Sequence, residues 1–282
     1  MAAPRPVHEA ISLLVADVDG TLVTPEKTLT ADAMAAVRNL SEAGVSFTLV
    51  SSRPPRGLAG LVATLDLKLP FAAFNGGALV RPDLSIIETH RLSSRTASAM
   101  LELLDRHDIE AWVFAEVDWR LRNPDGPYVA SNRRTVGFDP TLVQGFEDVI
   151  DRIDKIVGVS DHPARLAQVE MKARRVLQGE ATINLSSACY LDVTHPDANK
   201  GRAVEALCGL LDIDLRQTAV IGDMTNDVAM FEIAGLAIAM GQAPDVVKKS
   251  ADVVTGTNAE DGFSRAVENL ILPRAARRLA AS

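Results

Sequence analysis

Ile11-Ser12-Leu13-Leu14-Val15-Ala16-Asp17-Val18-Asp19-Gly20-Thr21-Leu22 is the stretch whose reading decides the fold of this chain. Leu13, Leu14, Val15 and Ala16 form an apolar run of strand length that stops abruptly at Asp17-Val18-Asp19-Gly20-Thr21. Side chains alternate across a strand, so Asp17 and Asp19 fall on one side of the backbone where the strand ends. Two crowded carboxylates repel unless a cation neutralises them. Hard oxygen ligands of this kind suit Mg2+, which takes one or two carboxylates plus water and substrate phosphate. Gly20 lets the backbone turn sharply, leaving N–H groups free to face an anion. The same residues also fit a plain strand that ends in an acidic turn, but an apolar strand followed by Asp-x-Asp-Gly-Thr is far more specific than Asp-x-Asp alone.

Outward from this stretch the pattern is α/β. In residues 28–43, Leu29, Met34, Val37 and Leu40 recur at helical spacing and Gly44 stands where a helix stops; the strand VSFTLV follows. Strand, helix, strand is the unit that builds a parallel sheet. Residues 71–74 read as a third buried strand that ends at Asn75-Gly76-Gly77. The rhythm then changes. Residues 78–80 and 85–92 read as paired strands around Arg81-Pro82-Asp83, followed by a helix over 96–107, strands near 109–115 and 119–122, and a loop over 123–127. Strands over 155–160, 181–185 and 188–193 with a helix over 163–177 complete an α+β block. The first rhythm resumes with helices over 199–211 and 226–234, a strand over 218–222 that ends in GDMTND, and a strand over 236–240. A short helix (244–249), a short strand (252–254) and a helix over 261–272 finish the chain. The expectation is one parallel-sheet domain built from 1–81 and 193–282, interrupted by a lid-like insert over 82–192.

Composition narrows the function. The 282 residues are 47% hydrophobic, 23% charged and 4% aromatic, which describes an ordinary globular protein of two-domain length. A net charge of −8 gives no electrostatic footprint for nucleic acid or an anionic membrane, so an anionic substrate needs local positive charge from a metal or a placed Lys. Cys189 and Cys208 are too few for a disulfide framework; they read as packing residues in a reducing cytoplasm. The opening MAAPRPVHEA carries no apolar signal core, no run is long enough to span a bilayer, and the basic end PRAARRLAAS reads as a solvated helix end or tail.

Four segments carry the chemistry. Besides the first, Ser51-Ser52-Arg53 follows the second strand, where ligands of open α/β sheets bind; Ser51 also fits a cap or turn residue. Lys200 opens a helix, a placement the helix dipole disfavours unless an anion is near. Asp223, Asn226 and Asp227 follow an apolar strand and open a helix, so they fit either a Mg2+ site or N-caps. In order and position these segments resemble the four motifs of the haloacid dehalogenase superfamily, with the insert between the second and third motifs as in its Cof-like, type IIB branch. Relatives in that superfamily often have Gly where this chain has Ser52 and a small polar residue where it has Met224.

The resemblance implies a Rossmann-like parallel-sheet core with an inserted α+β cap that selects substrate. It implies Mg2+-dependent hydrolysis of small phosphate monoesters, sugar phosphates first and phosphorylated cofactors such as pyridoxal phosphate or flavin mononucleotide behind them. Asp17 would be the nucleophile that forms an aspartyl-phosphate, and Asp19 the general acid and base. Val18, Ser51, Ser52, Lys200 and Asn226 would bind phosphate; Asp17, Asp223 and the Asp19 backbone carbonyl would bind the metal, with Asp227 behind them. Arg53 is expected to shape its loop, and Asn75 and Gly76 to line the substrate side or form a plain turn. Trp112, Trp119, Arg120, Arg122 and Tyr128 fit either the cleft or cap packing, and His195 is expected to be structural. A phosphomutase of the same superfamily, or a non-catalytic sensor of a phosphorylated metabolite, stays open as an alternative.

Overall fold

The computed structural model describes residues 10–275. The N-terminal residues 1–9 and the basic C-terminal residues 276–282 lie outside the described residues. In the first half of the chain, β1 (Leu13–Ala16), α1 (Ala31–Glu42), β2 (Ser46–Leu49) and α2 (Ala59–Thr64) lead to three short strands, β3 (Phe71–Ala73), β4 (Ala78–Val80) and β5 (Ile86–Thr89). The middle adds α3 (Ser94–Arg106), β6 (Glu110–Ala115), β7 (Asp118–Leu121), α4 (Val129–Val136), β8 (Thr141–Leu142), β9 (Ile153–Val159), α5 (Pro163–Leu177), β10 (Thr182–Ser187) and β11 (Tyr190–Thr194). The last third holds α6 (Lys200–Leu211), β12 (Thr218–Gly222), α7 (Val228–Phe231), β13 (Leu236–Ala239), α8 (Asp245–Lys248), β14 (Val253–Val254) and α9 (Gly262–Ala266).

Five strands form a parallel sheet in the order β14-β13-β12-β1-β2, with Ala16 level with Ile221 on one side and Leu49 on the other. Leu14, Ala16, Ile221 and Ile238 pack on one face, and Leu13, Val15, Val220 and Ala237 on the other. A parallel sheet covered by helices buries both faces, so its strands read as continuous apolar runs. The third strand is buried as expected. β3 joins β4 and β5 in a small antiparallel sheet and runs parallel to the chain leaving β2, with the bridge Val50 to Ala72 and the backbone hydrogen bonds Ser51 N to Ala72 O and Asn75 N to Ser51 O joining the two.

The second large sheet, β10-β11-β9-β6-β7-β8, spans Glu110 to Thr194. One of its faces carries Ala111, Val113, Ile156 and Leu191 against Met100 and Leu104 of α3 and Leu166 and Val169 of α5. The other carries Trp112, Phe114, Trp119 and Val157, which join the buried cluster of the parallel-sheet domain. Phe114 meets Phe74 of the β3 turn at a ring-centroid distance of 6.1 Å. Each of these aromatic side chains contributes about 1.5–3 kcal/mol by leaving water. Among the described residues no helix is long and apolar enough to cross a membrane.

Candidate active site

Parallel pairing of β1 with β12 brings the acidic segments that follow both strands to one sheet edge. The Asp17 backbone N–H donates to Ile221 O at 2.9 Å, continuing the ladder one residue past β1 and fixing the Asp17 side chain at the sheet's carboxyl end. Asn199 caps α6 through Oδ1, which accepts from Gly201 N and Arg202 N, and Lys200 is therefore the first helical residue. Its ammonium donates to Asp17 Oδ1 at 2.7 Å and to Asp227 Oδ1 at 2.5 Å, and the side chain is 1% exposed. The anions that the helix dipole requires near this Lys are present and buried. Asp227 uses its second oxygen as well: Oδ2 accepts from the backbone N–H of Asp223 at 2.9 Å and of Met224 at 2.8 Å. Both Asp227 oxygens are thus engaged in holding Lys200 and the turn that presents Asp223. Glycines make this packing possible, since a Cβ on Gly20, whose φ is +90°, would lie 2.3 Å from Asp223 Oδ2, and one on Gly222 would lie 2.4 Å from Asp227 Cγ.

Carboxylate oxygens of Asp17, Asp223 and Asp227 lie within 4.8 Å of one another. Three carboxylates against one ammonium leave two negative charges unmatched. Burial, followed by the neighbouring Asp227 and Asp223 carboxylates, pushes Asp17 up to about 7 against the pull of Lys200. Asp223 is pushed up to about 6 by burial and by Asp227. Burial works against the Lys200 ammonium, yet Asp17 and Asp227 outweigh it and raise its pKa. Lys200 is therefore firmly charged, and the crowded carboxylates are short of positive charge. Asp223 Oδ1 is buried with no hydrogen-bond partner. Hard oxygen donors, an orphaned acceptor and two unmatched charges together fit a divalent cation such as Mg2+.

Asp19 points elsewhere. Arg53, 8% exposed, grips it with Nε to Oδ2 at 2.7 Å and Nη2 to Oδ1 at 2.8 Å, and Lys27 Nζ lies 2.8 Å from Oδ1. Burial alone would raise this carboxyl, but Arg53 and Lys27 win and hold it at about 2. A carboxyl whose folded pKa is depressed stabilises the fold above its unfolded value and loses that contribution as pH falls through the folded value. The shift from 3.8 to about 2 corresponds to about 2 kcal/mol lost between pH 4 and pH 2. Urea titrations across that range should show this acid loss in the wild type and a loss smaller by about that amount in Asp19→Asn; equal slopes would refute the pairing.

A cavity of about 520 Å3 contains this chemistry, lined on the parallel-sheet side by Asp17, Asp19, Lys27, Ser52, Asn75, Lys200, Asp223 and Asn226, and on the insert side by Asn184, Ser186 and Asp192. Asn226 Nδ2 donates to Asn75 Oδ1 at 2.9 Å, which leaves Asn226 Oδ1 buried and unpartnered. Ser51 is fully buried and its Oγ accepts from Arg53 N, so it supports the Arg53 loop. The Val18 carbonyl accepts from Thr21, Leu22 and Val23 and ties the turn after β1. Gly76 is not brought to the cavity: its φ is +95°, and a Cβ there would strike Asn199 O at 2.5 Å, so it seats the start of α6.

Of the insert residues singled out in the sequence, Trp112 lines a neighbouring pocket, while Trp119 is fully buried against Trp112 and Phe114. Arg120 pairs with Asp148 and Arg122 with Asp105, and Tyr128 stands edge-on to Tyr190. His195 stacks on His90, and its Nδ1 accepts from Asp197 N. Several residues escaped the sequence reading, among them the insert residues Asn184, Ser186 and Asp192 on the cavity wall, Lys27 and Gln242. Lys27 reaches Asp19 from a loop and adopts φ +63°, which no pattern announces. Gln242, whose Nε2 donates to Gly20 O at 2.5 Å, lies just beyond β13, and a polar residue past the carboxyl end of a parallel strand was a readable signal.

Comparison with known proteins agrees with this geometry. The family model for haloacid dehalogenase-like hydrolases matches residues 14–267. A putative phosphatase of Haemophilus influenzae is 26% identical over 253 residues, covering 89% of this chain and 95% of its own. A 5-amino-6-(5-phospho-D-ribitylamino)uracil phosphatase of Bacillus subtilis is 26% identical over 263 residues, covering 93% and 96%. The crystal structure of a haloacid dehalogenase-like hydrolase from Bacteroides thetaiotaomicron superposes with a TM-score of 0.84 at 25% identity, covering 92% of this chain and 98% of the other. A match over nearly the whole chain, on a fold that unites the four acidic and basic segments at one sheet edge, makes this chain a haloacid dehalogenase-like hydrolase of the Cof-like branch.

Proposed function

We propose that the chain is a Mg2+-dependent phosphatase of small phosphate monoesters that works through an aspartyl-phosphate on Asp17. The observation that carries the reading is the buried meeting of Asp17, Asp223 and Lys200, in which a nucleophile stands 2.7 Å from an ammonium beside an unpartnered carboxylate oxygen. Asp17 attacks phosphorus in line, the bond to the leaving oxygen breaks, and Asp19 delivers a proton to that oxygen. In the arrangement described here Asp19 is ionised and clamped by Arg53, so it acquires its proton only after leaving that grip. In the second half-reaction Asp19 takes the proton of the attacking water, a role that suits an ionised carboxylate. Lys200 and the buried turn around Asn226 neutralise and orient the transferring group. Asp17, Asp223 and the Asp19 carbonyl would hold Mg2+, which when bound offsets charge on the phosphoryl oxygens. Asp227 keeps Lys200 and Asp223 in place.

The insert, expected over residues 82–192, serves as the cap: its aromatic sheet face packs on the parallel-sheet domain, and Asn184, Ser186 and Asp192 of β10 and β11 face the catalytic cavity. Among the described residues the one cap cation on either cavity wall, Lys155, is already paired with Asp192, which favours a phosphatase over a mutase that must grip a second phosphate. An intact nucleophile speaks against a sensor. The Bacillus relative is named for a phosphate monoester of just this kind of small metabolite. Cys189 and Cys208, both free, suit the reducing cytoplasm. A phosphate-release screen over small monoesters with and without Mg2+ tests the activity, and release that ignores Mg2+ would refute the metal dependence.

Stability offers a second check. A carboxyl with a raised folded pKa holds its proton more tightly when folded, so it favours folding at low pH and loses that advantage as pH rises from 3.8 through about 6 and 7. Mg2+ binds the deprotonated pair, so at 100 times its Kd it should add about 2.7 kcal/mol at pH 7.5, or roughly 5 °C in Tm, and much less at pH 5. Melting curves with Mg2+ and with chelator at both pH values decide this; an equal shift at both would count against the site.

A further inference from the structure

Beside the catalytic chamber lies a smaller pocket of about 150 Å3, and Asp19, Ser52, Ser186 and Asp192 line both. We propose that this side pocket receives the alcohol part of the substrate, that this part is a single flat nitrogen heterocycle bearing no second phosphate or carboxylate, and that Lys155 and Asp192 read its edge. The inference rests on the phosphatase reading and names the substrate class of that site.

Size comes first. A cavity of this volume is close to one that holds a single benzene ring. Its walls are correspondingly aromatic: Trp112, 1% exposed, and Tyr190 lie with ring centroids 5.5 Å apart, and Phe114 stands beside them. Aromatic walls favour offset or edge-to-face contact with another ring.

The polar content then separates ring types. Lys155 Nζ donates to Asp192 Oδ2 at 2.7 Å, and each side chain is 8% exposed. An ammonium has three donors and a carboxylate several acceptor positions, yet among the described residues these two side chains hydrogen-bond only each other. A buried ion pair is costly until such positions are filled, and a ligand edge that alternates donor and acceptor fills them. Because the pair is electrically balanced, it offers no net attraction to a second anion. Trp112 Nε1 and Asn132 Nδ2, on two lining residues, are further buried donors without partners. Ring nitrogens or carbonyls accept from such donors, and an exocyclic amino or hydroxyl group donates to Asp192. A pyranose fits poorly, since it carries a hydroxyl on nearly every ring carbon. Trp112, Phe114, Val136 and Val157 offer those hydroxyls a mostly apolar wall, and an unpaired buried hydroxyl is unfavourable. Phosphorylated ring compounds therefore rank ahead of sugar phosphates.

Binding and turnover are measured separately. Calorimetric titration of the full-length Asp17→Asn protein in Mg2+ with pyridoxine 5′-phosphate and with glucose 6-phosphate reads the preference without hydrolysis. The ring ester is expected to bind at least about tenfold more tightly, and adding Lys155→Met with Asp192→Leu should shrink the ratio to about twofold or less. That double replacement leaves no lone buried charge. If it fails to fold, Tyr190→Leu, which opens one aromatic wall, should shrink the ratio as well. Equal or tighter binding of glucose 6-phosphate overturns the inference, as does a preference that survives these changes. Phosphate release from phenyl phosphate by the unmodified protein reports on the phosphatase reading alone, so failure there is distinguishable from failure of the ring preference.

Discussion

Asp17→Asn is expected to lower the rate of phosphate release by about 10^4-fold or more while leaving the fold intact. The amide keeps the shape of the carboxyl, and its oxygen still accepts from Lys200, which is 2.7 Å away in the wild type and is also held by Asp227. What disappears is the carboxylate that sits beside Lys200 and Asp223 and also lines the cavity; among the described residues Asp227 shares the first two properties, but both its oxygens are engaged and it does not line the cavity. The substitution also removes one of two unmatched negative charges from a buried cluster, so thermal stability without metal should hold or rise. Single-turnover release from a good monoester, with circular dichroism melts alongside, measures both. A variant that keeps within tenfold of wild-type turnover would mean that water, not Asp17, attacks phosphorus.

What was readable in the sequence, and what was not, follows from where each signal resides. Asp17, Asp19, Lys200 and Asp223 stand at the ends of short apolar strands or at a helix start, and both features are local. Topology then does the rest, because parallel strands in register deliver their carboxyl ends to one edge. The arrangement within the site was less legible. Nothing in the order of residues says that Asp19 turns from Asp17 towards Arg53, since that choice depends on which cation the 53–58 loop presents. β3 is legible as a buried strand, but three apolar residues carry no period that would tell its partners; its pairing with β4 is set by the Asn75-Gly76 turn, where Asn75 takes φ +60°. α4 carries no periodic signal in the sequence. Its apolar residues are only Val129, Ala130 and Val136, and it is held by contact with the Pro55–Leu58 turn of the other domain, an interaction distant in sequence. The side pocket was invisible for the same reason: Lys155, Asp192, Trp112 and Asn132 come from four separate elements.

Lys200 carries the largest expected effect on stability. Replacing it with Met preserves most of the volume and removes the charge, leaving Asp17, Asp223 and Asp227 as three crowded carboxylates with no ammonium between them. Asp227 is fully buried and Asp17 nearly so, and loss of one partner from a buried pair costs about 3–5 kcal/mol. For a chain of this size that is a fall of about 10 °C in Tm in the absence of metal. Charge counting gives a way to separate electrostatics from packing. Lys200→Met moves the cluster from two unmatched negative charges to three, and adding Asp227→Asn returns it to two, so the double variant should regain part of the loss even though it has fewer hydrogen bonds. Mg2+ should restore more stability to Lys200→Met than to the wild type, because the ion then answers the whole charge alone. Turnover is a different matter: with no ammonium beside the transferring group, kcat should remain about 10^2–10^3-fold low in both variants even when Mg2+ has recovered the fold. Scanning calorimetry of the single and double variants with and without Mg2+, set beside their turnover, tests these expectations together. A Lys200→Met protein that melts with the wild type and releases phosphate at a wild-type rate would show that the ammonium neither balances the buried carboxylates nor holds the phosphoryl group.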